Sequence, residues 1–330
     1  MSTAHSTYPA FATPTPSVNT GWFKQRFAES FITTKPVMLK SGAVVPIPLL
    51  FWDARALCIE GHADADAIDL LLRDQGLRAA RTGGSEGAVV QIWAPDYGGT
   101  TLGPHKAVYA LVRIEPPRQC RKEEEEQLAR RQSWSKKARA DDGGGRVDHW
   151  AFWWYYGTSP VNQEFVRDVW SIPNTELAII DTSYLSERRL RLLEDGGVAL
   201  RLKIAKGDMA AEQRMPLFRT VARRAHDTGE NWVDANVLGS VEEGKIGRDD
   251  GQFQLRKDSR IEKQLTRVSF EPARWRFIGG YEGIVEIWDE KGSGKDPVQD
   301  TDDRFEVVKK GDAWLIREFP RTIPERGGKV

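Results

Sequence analysis

Asp96-Tyr-Gly-Gly-Thr-Thr-Leu-Gly-Pro-His-Lys-Ala107 is the stretch on which the fold turns. Its paired glycines and its Gly-Pro step mark a turn, and the flanking text is apolar. Residues 88–93 before it and 107–114 after it read as strands, so it joins two strands of a sheet. Working outward, residues 36–60 are strand-like, punctuated by Ser41-Gly42 and prolines. Residues 149–156 hold Trp150, Phe152, Trp153, Trp154, Tyr155 and Tyr156 in one run, which predicts a strand buried on both faces. Strand text recurs at 177–180, 198–204, 214–219, 232–238, 251–255, 264–270 and 284–288, and an added hairpin occupies 303–319 with Gly311 at its turn. Helices are few. One spans 21–30, and one follows Asp64 or Asp66 as N-cap with Ile68, Leu71 and Leu72 on its apolar stripe. One runs over 161–169. Without βαβα alternation or an internal repeat, a doubly wound sheet is disfavoured and an α+β class is expected.

The chain of 330 residues carries 48 Lys+Arg against 48 Asp+Glu, a net charge of zero, so no global field draws it to nucleic acid or to an acidic membrane. Twelve tryptophans give it enough apolar area to collapse around a core. Two cysteines, Cys58 and Cys120, make neither a disulfide framework nor a zinc site, which fits a reducing compartment. No apolar run is long enough to span a bilayer. Residues 1–20 read as a flexible leader and 21–330 as a single domain. Its segment 117–148 interleaves acids and bases before Gly143-Gly-Gly and is expected to be a solvated insertion. A cytoplasmic protein is the resulting expectation.

Three motif matches fail on context. Gly83-Gly-Ser-Glu-Gly87 has the letters of a nucleophile elbow, but a strand follows it where a helix is needed. Gly292-Ser-Gly-Lys295 lacks the lead and the hydroxyl residue of a phosphate loop. His62, Asp64 and Asp66 are explained by helix capping, and with the five histidines scattered no metal site is expected. No cofactor is called for.

The opening stretch is similar to the turn and G-P-Y-x-E strand start of the acetoacetate decarboxylase-like superfamily. Val161-Asn-Gln-Glu-Phe-Val-Arg-Asp-Val-Trp-Ser-Ile-Pro-Asn-Thr-Glu176 resembles that family's A-x-x-x-G-R-E-x-W-G-x-P-K-K segment, and Phe270-Glu-Pro-Ala-Arg-Trp-Arg-Phe-Ile278 resembles its late strands. The resemblance covers most of residues 30–290. It implies a cone-shaped antiparallel β-barrel with flanking helices, a homo-oligomer, and chemistry on small oxo acids through a lysine imine. A neutral amine attacks the ketone, and the protonated imine then draws electrons from the breaking bond.

This chain departs from the pattern where that chemistry resides. Asn174 and Thr175 stand at the two lysines, and Ala107 at the glutamate, whereas Arg167, Asp168, Trp170 and Pro173 match. Lys106 is expected to point away from His105 by strand alternation, Lys203 to face solvent and Lys40 to sit in a turn, so none replaces the imine lysine. What the resemblance leaves is His105 at the family tyrosine, facing Asn174 and Thr175, as a proton shuttle beside a hydrogen-bond donor. The plainer reading makes His105 a core histidine and Asn174 a turn residue. Arg167 reads either as a clamp for a substrate carboxylate or as a helix arginine paired to an acid. Trp154 and Trp170 are candidate lining residues. The expected function is binding or transforming a small carbonyl or carboxylate metabolite without a lysine imine, by proton-transfer, lyase or cyclase chemistry. The alternative is a non-catalytic ligand carrier or scaffold. The segment 118–139 as a partner-docking site is a third.

Overall fold

Alternating small and large apolar side chains let long strands bury both faces, and the architecture follows from that. The structure, a computed structural model, describes residues 35–47, 49–81, 87–116, 147–170, 172, 174–184, 187–205, 212–214, 217–222, 231–247, 251–288, 305–310 and 313–318. The expected leader, the 21–30 helix, nearly all of the charged insertion, most of Gly83–Gly87, the loop at Gly292 and the turn residue Gly311 lie outside them.

The strands are β1 (Lys35–Met38), β2 (Val44–Ile47), β3 (Leu49–Asp64), β4 (Gly87–Thr100), β5 (His105–Arg113), β6 (Val147–Gly157), β7 (Thr175–Leu177), β8 (Ile179–Ser183) and β9 (Arg188–Glu194). They continue as β10 (Gly197–Ile204), β11 (Glu212–Arg214), β12 (Leu217–Ala222), β13 (Asn231–Lys245), β14 (Gly251–Leu255), β15 (Glu271–Trp288), β16 (Phe305–Lys310) and β17 (Ala313–Glu318). The largest sheet runs β11–β13–β12–β6–β5–β4–β3–β15, with β7 added beside β6 and a further pairing of β13 with β15. A four-stranded sheet runs β14–β10–β9–β8, and β1–β2 and β16–β17 form separate pairs. Among the described residues the chain is mostly strands with few helices, as the α+β reading expects.

Each helix has a local cause. Helix α1 (Ala65–Leu72) starts because Asp64 accepts from the Ala67 amide at 2.9 Å, which accounts for that aspartate without a metal. Helix α2 (Pro160–Asp168) has Ser159 as N-cap and proline in its first turn. Helix α3 (Arg260–Arg267) is a correction: residues 264–270 read as a strand, but Ser259 caps the Glu262 amide and Ile261, Leu265 and Val268 form a buried helical stripe.

The large sheet has two buried faces. One packs Leu57, Ile92, Val108 and Trp154 against α1, α3 and the smaller sheet. Arg188 of β9 seals that contact through an ion pair with Glu242 of β13, its guanidinium 3.7 Å from the Phe277 ring centroid. The other face packs Ala54, Cys58, Trp93, Ala107, Phe152 and Tyr155 against α2 and the β1–β2 pair. Strand β6 is thus buried on both sides, as its aromatic run predicts.

Candidate functional site

The turn between β4 and β5 is built to aim His105. Gly103 adopts φ 82°, its amide reaches the Thr100 carbonyl at 3.0 Å, and the Thr100 hydroxyl accepts from the Leu102 amide at 2.8 Å. Upstream, a Cβ at Gly99 would lie 2.2 Å from the Trp52 indole nitrogen, so only glycine fits there. The turn returns the chain so that His105 pairs with Tyr97 across the ladder, their rings 4.8 Å apart. Nδ1 of His105 lies 2.8 Å from the Gly103 carbonyl oxygen, which can only accept, so Nδ1 carries the proton. The neutral ring therefore presents Nε2 as a base. Burial holds the imidazole below its ordinary pKa, with the Gly103 hydrogen bond and the Asp96 charge opposing.

Tyr97 adjoins Tyr155, whose hydroxyl accepts from the Asn162 amide. Burial, reinforced by Tyr97 and opposed by Asn162, pushes the Tyr155 phenol far up, so it stays a neutral donor. Tyr155 stacks on Tyr109 at 5.8 Å, Tyr109 meets Phe152 at 5.5 Å, and Phe152 lies 6.3 Å from Trp170. Tyr109 is at the centre of a sheet, laddered on both sides, and its strand neighbours Ala107 and Leu111 are buried. Tyr109 itself remains partly open. The Trp170 indole N–H is buried and meets no acceptor among the described residues.

Of the residues singled out from sequence, His105, Ala107 and Trp170 belong to this face, and Ala107 pairs with Gly157 next to the Tyr155–Asn162 contact. Thr175 sits half-buried beside Tyr155 in the β6–β7 ladder. Three others lie elsewhere. Trp154 packs into the opposite core. Asn174 is exposed at φ 53°, its amide donating to the Trp153 carbonyl at 3.2 Å, so it serves as a turn residue. Arg167 is exposed and paired with Asp168 at 2.9 Å, the paired-to-an-acid alternative. Pro173 lies outside the described residues.

Lys106 points away from His105, its Nζ 2.7 Å from the Thr182 hydroxyl and 3.4 Å from Asp96. Lys40 pairs with Asp168 at 3.3 Å and Lys203 with Glu187 at 2.7 Å. Tyr97, Tyr155 and Asn162 were missed in sequence. Missed too was a polar network on the same sheet face, where Glu60 receives Gln91 at 2.7 Å and Arg274 at 2.6 Å, and Arg276 reaches Glu243 at 3.2 Å. Glu60 interrupting the apolar β3 text is the signal that marks it. No group of acids, histidines or cysteines fit to hold a metal occurs among the described residues, and no helix among them is long and apolar enough to cross a membrane.

Among solved structures the chain is similar to an acetoacetate decarboxylase, at 10% identity over 73% of this chain and 88% of that one, with a TM-score of 0.46. It is also similar to the enduracididine biosynthesis enzyme MppR complexed with pyruvate, at 10% identity over 74% and 90%, TM-score 0.48. An acetoacetate decarboxylase-like enzyme from Sphingomonas wittichii RW1 is similar at 11% identity over 73% and 92%, TM-score 0.42. No family model and no curated protein matches the chain.

Proposed function

We propose that this protein binds or transforms a small carbonyl metabolite on the Tyr97–His105–Tyr155 face without forming a lysine imine. The observation that carries it is the partly open Tyr109 ring at mid-sheet, next to a neutral phenol and near a histidine whose Nε2 is a base. In that arrangement Nε2 takes a proton from the carbon beside the carbonyl, and the electron pair moves onto the oxygen as an enolate. Where an alkene is conjugated to that enolate, returning the proton to its far carbon completes an isomerisation in which the double bond moves and no group leaves, with no lysine involved. The large sheet is read as wrapping into a cone-shaped barrel within a single domain, supported by β13 pairing both β12 and β15.

The test treats the protein with pyruvate, acetoacetate and borohydride and measures intact mass. Unchanged mass is expected, with ligand binding measured separately on neutral ketones, and a reduced adduct on a lysine overturns the reading. A carrier that binds without turning over is the second reading, favoured by the Tyr155 phenol being held neutral, so that His105 has no second ionising partner beside it among the described contacts. A His105→Gln variant that binds normally and loses no activity, because none is found, establishes it.

A further inference from the structure

Nothing in the family resemblance assigns Tyr155 or Asn162, yet they form the most buried polar contact on the candidate face. Asn162 is 1% exposed and Tyr155 3%, both surrounded by apolar and aromatic side chains. Asn162 is fixed in the first turn of α2, where its own amide is held by the Ser159 cap, so the carboxamide is presented by a rigid element. Gly157 makes the contact sterically feasible: a Cβ there would stand 3.1 Å from the Tyr155 ring and 3.7 Å from the Asn162 nitrogen. The amide donates to the phenolic oxygen, which frees the phenolic proton to point elsewhere.

Among the described residues, the charges of this region are spoken for. Arg274 is held by Glu60, Arg276 by Glu60 and Glu243, and Arg167 and Lys40 by Asp168. Among the described residues no cation perturbs His105 or Tyr155. A carboxylate brought here sheds its water and meets no free counter-charge among the described residues, a cost that a ketone does not bear.

We propose that Tyr155, backed by Asn162, holds the oxygen of an uncharged, planar carbonyl ligand lying against the open side of Tyr109, and that the site discriminates against carboxylates. This rests on the proposed carbonyl-binding function and narrows its substrate class to neutral ketones and enols with a flat, apolar body. The flat body is demanded by the Tyr109, Phe152 and Trp170 rings, which offer faces and edges and, at Trp170, an N–H that meets no acceptor among the described residues.

The experiment is isothermal titration calorimetry of the full chain with acetophenone, its near-isosteric anion benzoate, and pyruvate, on the wild type, Tyr155→Phe and Asn162→Ala. Acetophenone is expected to bind at least tenfold more tightly than benzoate. Losing one neutral hydrogen bond in Tyr155→Phe is expected to weaken it by about three- to tenfold. Asn162→Ala, which leaves both rings in place, is expected to weaken it less, and serves if Tyr155→Phe does not fold. Benzoate or pyruvate binding as tightly as acetophenone, or acetophenone binding untouched by either substitution, overturns this inference while leaving the carbonyl-binding function standing. Binding of none of the three compounds overturns that function and this inference with it.

Discussion

Replacing Glu242 by Leu is the perturbation whose cost the structure prescribes most clearly. Arg188 and Glu242 have side-chain exposures of 2% and 7%, and they join the smaller sheet to the larger one. Removing the acid leaves a buried guanidinium without its principal counter-charge, for which breaking a buried pair costs roughly 3–5 kcal/mol. The Phe277 ring 3.7 Å from the guanidinium carbon keeps part of the compensation, so the lower end, about 3 kcal/mol, is expected. With an unfolding entropy of about 2 cal/mol/K per residue, that is a fall in Tm of roughly 4–5 °C. Replacing both partners, Arg188→Met with Glu242→Leu, substitutes apolar packing for the pair and is expected to recover most of the loss. Urea titration and differential scanning calorimetry of the two single variants and the double variant measure this. A single variant within about 0.5 kcal/mol of wild type, the size of a surface change, or a double variant less stable than either single one, refutes the reasoning.

His105 has a folded-state pKa below its unfolded value, so the unfolded chain binds the extra proton. Its contribution is present above the unfolded pKa of about 6.5 and is lost as pH falls through the folded one, and His105→Gln is expected to flatten that part of the stability–pH curve. Gly99→Ala drives a methyl into the Trp52 indole and is expected to cost about 1–3 kcal/mol by denaturation, with Trp52→Ala relieving part of the clash. Gly157→Ala crowds the Tyr155 ring, so acetophenone affinity should drop several-fold by calorimetry while stability changes by less than about 1 kcal/mol.

The fold was legible wherever local chemistry and periodicity agreed. Asp64 announces its helix by capping, and the aromatic run of β6 declares burial on both faces. Helix α3 was hidden because Leu265, Val268 and Phe270 also satisfy a strand's composition, and the deciding Ser259–Glu262 cap lies upstream of the apolar text. The position of His105 on its sheet face was legible, because the glycine turn fixes it. Tyr155 was not, for a geometric reason. The β5–β6 ladder pairs Leu111 with Phe152 but Ala110 with Trp154, a bulge at Trp153 that shifts the phase of alternation. Trp150, Phe152 and Tyr155 therefore share a face that strict period-two counting cannot assign. Asn174 was misplaced because a motif position says nothing of φ, and a left-handed turn turned its amide onto the backbone.

The central claim is that a carbonyl ligand lodges against Tyr109 between His105 and Tyr155. Irradiating the full chain with acetophenone, whose excited carbonyl inserts into neighbouring C–H bonds, and mapping the labelled peptides by mass spectrometry tests it most directly. Adducts confined to residues 97–109 and 150–170 are predicted. Labelling that instead follows the exposed apolar side chains Leu70, Leu177 and Ile179 contradicts it.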